Sequence, residues 1–381
     1  MRILHVINSL DGPTARQLTR LLAELRPPEW TFEIFVAQTR GNVHLAGLPP
    51  ETTVRMATRG RGLDLSYWRQ LGLAIDRGRP DLVQAWDDES ALYAGQLAAS
   101  RNIPLVAQHP ADVRAGWLAR LAREKWGAAT ACWVASSPAL REQAIRAGRP
   151  AARVVCIRPG VAALETATTA TVARADFLRE FGLPDNARCA AIISPLQLRN
   201  RVKDLIWATD MLKFYGSPVQ VLVFGDGPQR WRMEKFSRQC EVADRLHFLG
   251  NRADILRWLP FCDLLWDASE PADSGAALAE AMGAGIPLVA SDTRPHRDWV
   301  RAGENGLLVP VGARAEFANA ANRLFTDRAL AEKLGAAGRS RALAEFSAAT
   351  MAAKFAELYR SVLARGVEKP AAAASLRSRS S

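Results

Sequence analysis

The chain has 381 residues, 49% of them hydrophobic by a broad count, 23% charged and 7% aromatic. That length suits two domains, each with its own core, and the composition excludes a disordered, collagen-like or disulfide-scaffold protein. The formal charge is +11, and residues 101–160 supply +7 of it from 10 basic and 3 acidic side chains.

The chain opens on an apolar run, Ile3–Ile7, with one basic residue before it and no small-residue cleavage site after it. It reads as a first β-strand and not as a signal peptide. Further apolar runs follow at Phe32–Ala37, Asp81–Ala85, Pro104–Ala107, Cys132–Ala135 and Val154–Ile157. Helical patterns such as Thr14–Leu25 and Ser90–Ser100 separate them, and Pro and Gly punctuate the joins. This predicts a doubly wound α/β domain over residues 1–165. Asp11-Gly12-Pro13 joins the first strand to its helix; a plain turn and a glycine loop facing a ligand both explain it. Asp87, Asp88 and Glu89 follow Trp86 at a strand end, as a solvated loop or a carboxylate metal site. Five widely spaced cysteines, without a C-x-x-C pair, predict buried thiols in a reducing cytosol.

The charge excess is densest from Val113 to Trp126. Arg114, Arg120, Arg123 and Lys125 lie around Trp117, Leu118 and Leu121, which fall at helical spacing. Such a basic amphipathic helix either meets an anionic membrane surface or acidic partner, or packs its stripe on its own domain. No helix-turn-helix, zinc-finger or RNP-like pattern accompanies the charge, so nucleic acid is not expected. The longest charge-free stretch of the first half, Trp126–Leu140, is 15 residues and too short to span a bilayer.

Residues 162–175, rich in Ala and Thr, read as an interdomain connection. A second α/β domain is predicted over 166–346. Its strands are Ala190–Ser194, Gln220–Phe224, Leu246–Leu249, Leu264–Asp267 and Leu288–Ala290, with helices from Val202, from Gln229 and over Ala276–Ala284. Helical patterns then run from Ala313 to about Leu363, and residues 366–381 are expected to be a disordered tail. Two such domains facing each other make a cleft at the carboxyl ends of both sheets. Ser274-Gly275 opens a helix at that cleft. A helix N-terminus behind a small polar loop suits a phosphate or diphosphate, and Glu280, almost two turns in, offers acceptor oxygens to hydroxyls such as those of a ribose. Gly225-Asp-Gly-Pro228 lacks the third glycine of a dinucleotide fingerprint, with Arg230 in its place, and reads as a tight turn.

Several of these segments together resemble the retaining glycosyltransferases of family 4. They are Val223–Arg230, Asp244–Ile255, Ser269 with Glu280–Ser291, and Glu304-Asn-Gly-Leu-Leu-Val-Pro310. In the first half they are Arg79-Pro-Asp-Leu-Val83, Ile103–His109 and Ile157-Arg-Pro-Gly-Val161. The resemblance implies a GT-B fold: two Rossmann-like, doubly wound domains facing a central cleft, with a last helix, 347–365, crossing back to the first. It implies transfer of a hexosyl unit, with retention, from a UDP- or GDP-sugar bound by the second domain. The acceptor would be a glycan or lipid-linked molecule on the first domain, and no metal cofactor is implied. The setting would be cytoplasmic or peripheral at the inner face of the membrane. By the same resemblance His109 is one catalytic candidate; Asp273, which flanks the position of a family glutamate and could supply its carboxylate if the loop shifts, is the other. Gly12, Arg199, Arg201, Ser274, Gly275, Ala276 and Glu280 are the donor-binding candidates.

The sequence also departs from the family pattern. Ala272 stands where the family has the first of two glutamates, with Glu270 and Asp273 beside it. Pro195 and Asn200 stand where the family has an Arg and a Lys that neutralise the diphosphate, with Arg199, Arg201 and Lys203 close by. These departures leave open an alternative, a GT-B scaffold that binds nucleotide, glycan or a partner subunit without efficient transfer.

Overall fold

The structure is a computed structural model and describes residues 1–10, 12–38, 47–60, 64–108, 130–161, 173–216, 218–270 and 275–365. The first lobe runs β1 (Arg2–Ile7), α1 (Gly12–Glu24), β2 (Thr31–Gln38), β3 (Thr53–Thr58), α2 (Leu65–Gly78), β4 (Leu82–Ala85), α3 (Asp88–Ser100), β5 (Leu105–Gln108), β6 (Thr130–Ala135), α4 (Pro138–Arg146) and β7 (Val154–Cys156). Its seven strands are parallel, in the order β3-β2-β1-β4-β5-β6-β7. The order reverses beside β1, so the crevice beyond β1 and β4 is the switch point where such sheets bind ligands.

Local chemistry explains the helix boundaries. The Asp64 carboxylate accepts from the Ser66 and Tyr67 N–H groups and starts α2. Asp87 caps α3 by accepting from Ser90 N, and Ser137 caps α4 ahead of Pro138. β3 was not among the expected strands. It is an edge strand with Arg55 at its centre and much of its length exposed, so it lacks the continuous apolar run that marks a buried parallel strand.

The second lobe runs α5 (Arg174–Phe181), β8 (Arg188–Ile193), α6 (Val202–Leu212), β9 (Val219–Phe224), α7 (Arg230–Gln239), β10 (Leu246–Gly250), α8 (Ile255–Trp258), β11 (Leu264–Asp267), α9 (Ala276–Ala284), β12 (Leu288–Ser291), α10 (Arg294–Arg297) and β13 (Gly306–Val309). Its six parallel strands have the order β10-β9-β8-β11-β12-β13, with the switch between β8 and β11. The long helical region resolves into α11 (Arg314–Thr326), α12 (Arg328–Glu345) and α13 (Ala348–Arg365). Asp327 makes the first break by capping Leu330 N.

α13 returns to the first lobe. Met351, Phe355 and Tyr359 join the core built from Ile3, Leu18 and Trp30. Backbone bonds from Val161 N to Phe346 O (2.7 Å) and from Ala348 N to Val161 O (2.9 Å) fix the crossing point. The connection at 162–172, the basic stretch 113–126 and the tail 366–381 lie outside the described residues. No helix among the described residues is long and apolar enough to cross a membrane.

Candidate functional site

Between the carboxyl ends of the two sheets lies a cavity of about 530 Å³. That is within the usual range for a small-molecule site. Its first-lobe wall comes from the ends of β1, β4 and β5: Asn8, Trp86, Asp88 and Gln108. Trp86 is held from behind. Its indole N–H donates to Nδ1 of His5 at 3.0 Å, and burial lowers the His5 pKa to about 3, so the imidazole is neutral near pH 7 and can accept that bond. Asp87 accepts from Ser90 N, Ser90 Oγ and Asn8 N, and its burial pushes its carboxyl above the usual range. Glu89 pairs with Arg59. The acids after Trp86 therefore cap α3 and line the cavity; among the described residues no group of three or more potential ligands is arranged to hold a metal ion.

The second-lobe wall comes from the loop after β8 and from the end of β11 with the start of α9: Ser194, Pro195, Arg199, Asn200, Asp267 and Gly275. Two glycines hold the first of these loops in place. A Cβ on Gly225 would sit 2.0 Å from Ser194 O, and one on Gly227 2.6 Å from Leu196 O. The turn after β9 thus presses against the cavity loop, and Leu196 N bonds back to Asp226 O at 3.0 Å. This is a structural reason for Gly-Asp-Gly that needs no dinucleotide. Gly275 precedes α9 with φ of +70°, and a Cβ there would lie 2.3 Å from the Trp299 ring. Only glycine gives both the left-handed turn and the close packing that put the α9 N-terminus on the cavity wall. Gly275 offers no side-chain cap to that end.

The expected site residues divide sharply. Arg199 and Gly275 line the cavity. Gly12 begins α1 with φ of +86°, and its neighbours Pro13 and Thr14, not Gly12 itself, face the cavity. Ala276 is buried behind Gly275, and Ala277 and Leu278 line the wall instead. Arg201 does not reach it. Its guanidinium pairs with Asp204 (2.7 Å) and Glu270 (3.3 Å). Lys203 lies over the Phe236 ring at 4.2 Å and does not line the cavity. His109, Asp273, Ser274 and Ala272 lie outside the described residues.

Glu280 differs most from expectation. Its side chain is fully buried and faces the first lobe. Arg16 grips it with two bonds, Nε to Oε1 at 2.8 Å and Nη2 to Oε2 at 2.6 Å, and Arg20 adds a contact at 3.2 Å. Burial works to raise the Glu280 carboxyl, but the two guanidiniums outweigh it and hold it below the ordinary range. Burial in turn lowers Arg20. The carboxylate expected to hold ribose hydroxyls is instead the centre of an Arg–Glu–Arg triad that ties α1 to α9 across the lobes. Arg16 and Arg20 gave no signal in the sequence beyond lying four apart on one helix. Asp267, marked in the sequence only as the end of a strand, stands beside a switch point, where such sheets place functional side chains.

Comparison with known proteins agrees with this architecture. The family model described as Glycosyltransferase Family 4 matches residues 14–163, and the one described as Glycosyl transferases group 1 matches residues 174–341. EpsD of Bacillus subtilis (strain 168), provisionally named a glycosyltransferase, is 27% identical over 311 residues, covering 78% of this chain and 80% of its own. The GDP-mannose-dependent alpha-(1-6)-phosphatidylinositol monomannoside mannosyltransferase of Mycobacterium tuberculosis (strain ATCC 25618 / H37Rv) is 26% identical over 300 residues, covering 74% of this chain and 76% of its own. Among solved structures, Anabaena Alr3699/HepE in complex with UDP-glucose superposes with a TM-score of 0.77 at 20% identity, covering 95% of this chain and all of that one. With two parallel sheets meeting at a shared cavity and family models matched in both lobes, the chain belongs to glycosyltransferase family 4 and is a glycosyltransferase of the GT-B fold.

Proposed function

We propose that this enzyme transfers a hexosyl unit, with retention at the anomeric carbon, from a UDP- or GDP-linked donor to a glycan or lipid-linked acceptor. The observation that carries the reading is the second-lobe wall of the cavity, where Gly275 brings the N-terminus of α9 to the same space as Arg199. Departure of a nucleoside diphosphate builds negative charge on its terminal phosphate. A helix N-terminus and a fixed cation stabilise that charge, most strongly where water is excluded. Opposite them, the acceptor oxygens of Asn8, Asp88 and Gln108 suit the hydroxyls of a sugar acceptor. The choice of nucleotide draws on two relatives, one named for GDP-mannose and one seen with UDP-glucose. The reaction is proposed to need no metal, as the family resemblance implies. A lipid-linked acceptor would bring the enzyme to a membrane, where the basic stretch 113–126 would meet anionic headgroups.

The test is calorimetric titration with UDP and GDP, followed by a panel of UDP- and GDP-hexoses assayed for release of the nucleoside diphosphate, with and without EDTA. Binding of one nucleotide and turnover of one of its sugars, unchanged by EDTA, is expected. Failure to bind either nucleotide would remove the donor site, and binding without turnover of any donor would favour the scaffold reading.

A further inference from the structure

The cavity has carboxylates on both walls, but unequally. Asp87, Asp88 and Glu89 stand on the first-lobe side, whereas among the described lining residues the second lobe supplies a single carboxylate, Asp267. It ends β11, next to the central strand β8, on the same wall as Arg199 and Gly275. Its side chain is 16% exposed, so it is mostly enclosed but open to the cavity.

Among the described residues, this carboxylate is held by Ser269 and His296. Oδ1 accepts from Ser269 N at 2.9 Å. Oδ2 lies 3.4 Å from Nε2 of His296, whose side chain is wholly buried. The other ring nitrogen of His296, Nδ1, is 2.7 Å from the Thr293 hydroxyl. The imidazole is therefore fixed at both ends, and Ser269 Oγ approaches the same Nε2 at 3.5 Å. Burial works to raise the Asp267 carboxyl, but His296 and Ser269 overcome it and keep it below the ordinary carboxylate range. A charged carboxylate close to a diphosphate would repel it. What a carboxylate in a donor site can usefully hold is a hydroxyl, because two oxygens offer several acceptor positions and form strong charge-assisted bonds.

We propose that Asp267 is a substrate-binding residue that accepts hydrogen bonds from hydroxyls of the sugar nucleotide, and that His296 is the positioning residue that orients it. The inference rests on the transferase reading and deepens it. It also accounts for where the donor finds a carboxylate on this wall when Glu280 is bound to Arg16 and Arg20. The hydroxyls belong either to the ribose or to the hexose, and the two give different results below.

The experiment is titration of the wild type and of Asp267→Asn with UDP, GDP, their 2′-deoxy forms, UDP-glucose and GDP-mannose, with melting temperatures measured alongside. Asp267→Asn keeps the size and removes the charge. The expected result is about tenfold weaker binding of the preferred sugar nucleotide. If the ribose is held, the bare nucleotide weakens equally and its 2′-deoxy form shows a much smaller difference. If the hexose is held, only the sugar nucleotide weakens. His296→Leu is expected to reproduce the loss without adding to it in the double variant, and His296→Gln to restore part of it. A merely structural His296 would lower the melting temperature and leave the affinity pattern alone, overturning its part. Equal affinities of Asp267→Asn and wild type for every ligand would overturn the whole. A wild type that binds none of these nucleotides would fail earlier, at the transferase reading itself.

Discussion

Replacing Glu280 with Gln tests the inter-lobe triad directly. The carboxylate is fully buried, and Arg16 and Arg20 are only 13% and 10% exposed. Three nitrogen–oxygen contacts between 2.6 and 3.2 Å join them. Glu280→Gln would leave two neighbouring, largely desolvated guanidiniums without an anion. Breaking a buried pair by removing one partner typically costs about 3–5 kcal/mol. At the usual scaling for a domain of this size, the melting temperature should fall by on the order of 10 °C. The strain has a second outlet, since the lobes can part and hydrate both arginines. Small-angle scattering should then show a larger radius of gyration for Glu280→Gln before any unfolding. The triple variant Glu280→Leu, Arg16→Met, Arg20→Met removes the stranded charges and should recover most of the lost stability. The sign with pH follows from the depressed Glu280 carboxyl: its stabilisation is complete above the ordinary Glu value and is lost as pH falls through the lower folded value. A Glu280→Gln protein that melts within about 1 °C of wild type, with unchanged scattering, would refute the reasoning, because a desolvated triad cannot lose its only anion without consequence.

Three further expectations can be checked with purified protein. His5 has a folded pKa of about 3 against an ordinary 6.5, so the unfolded chain takes up a proton below pH 6.5 that the folded chain does not. Urea unfolding at pH 7 and pH 5 should show the wild type losing about 2 kcal/mol more than His5→Gln over that interval; equal losses would place the imidazole in water. Arg199→Met should weaken binding of the nucleoside diphosphate about tenfold while Arg201→Met leaves it unchanged, because Arg199 lines the cavity and Arg201 is bound to Asp204 and Glu270. The reverse order in calorimetry would mean that the loop after β8 is turned the other way. Gly275→Ala should lower both the melting temperature and nucleotide affinity, since the left-handed turn disfavours a Cβ by roughly 1–2 kcal/mol and the Trp299 ring blocks it at 2.3 Å. Wild-type values in both measurements would contradict the packing at the α9 N-terminus.

Much of this protein is legible in its sequence because the governing interactions are local. Leu264–Asp267 and Ala276–Ala284 have the expected bounds, since a short apolar run ending at a polar loop, and a helix bracketed by Gly275 and Gly285, are set by neighbours in the chain. The family motifs lie in the same kind of segment, where backbone turns and strand ends demand particular residues. β3 escaped notice because pairing with β2, not its own pattern, makes it a strand.

The tertiary structure decided which charged groups face the cavity. Glu280 lies 264 residues from Arg16, and nothing in either helix foretells their pairing. It exists because docking α1 against α9 removes water from a carboxylate, which then takes the nearest cations. Arg201 instead pairs with Asp204, three residues on in the chain, and with the exposed Glu270. Asp267 and His296 come together only when β11 and the turn at α10 meet beneath the cavity wall. Residue type and spacing thus determined the scaffold and the position of the helix end on the cavity wall. The partners of each buried charge were settled by packing, because the energy of a desolvated ion depends on whatever the fold brings within a few ångströms.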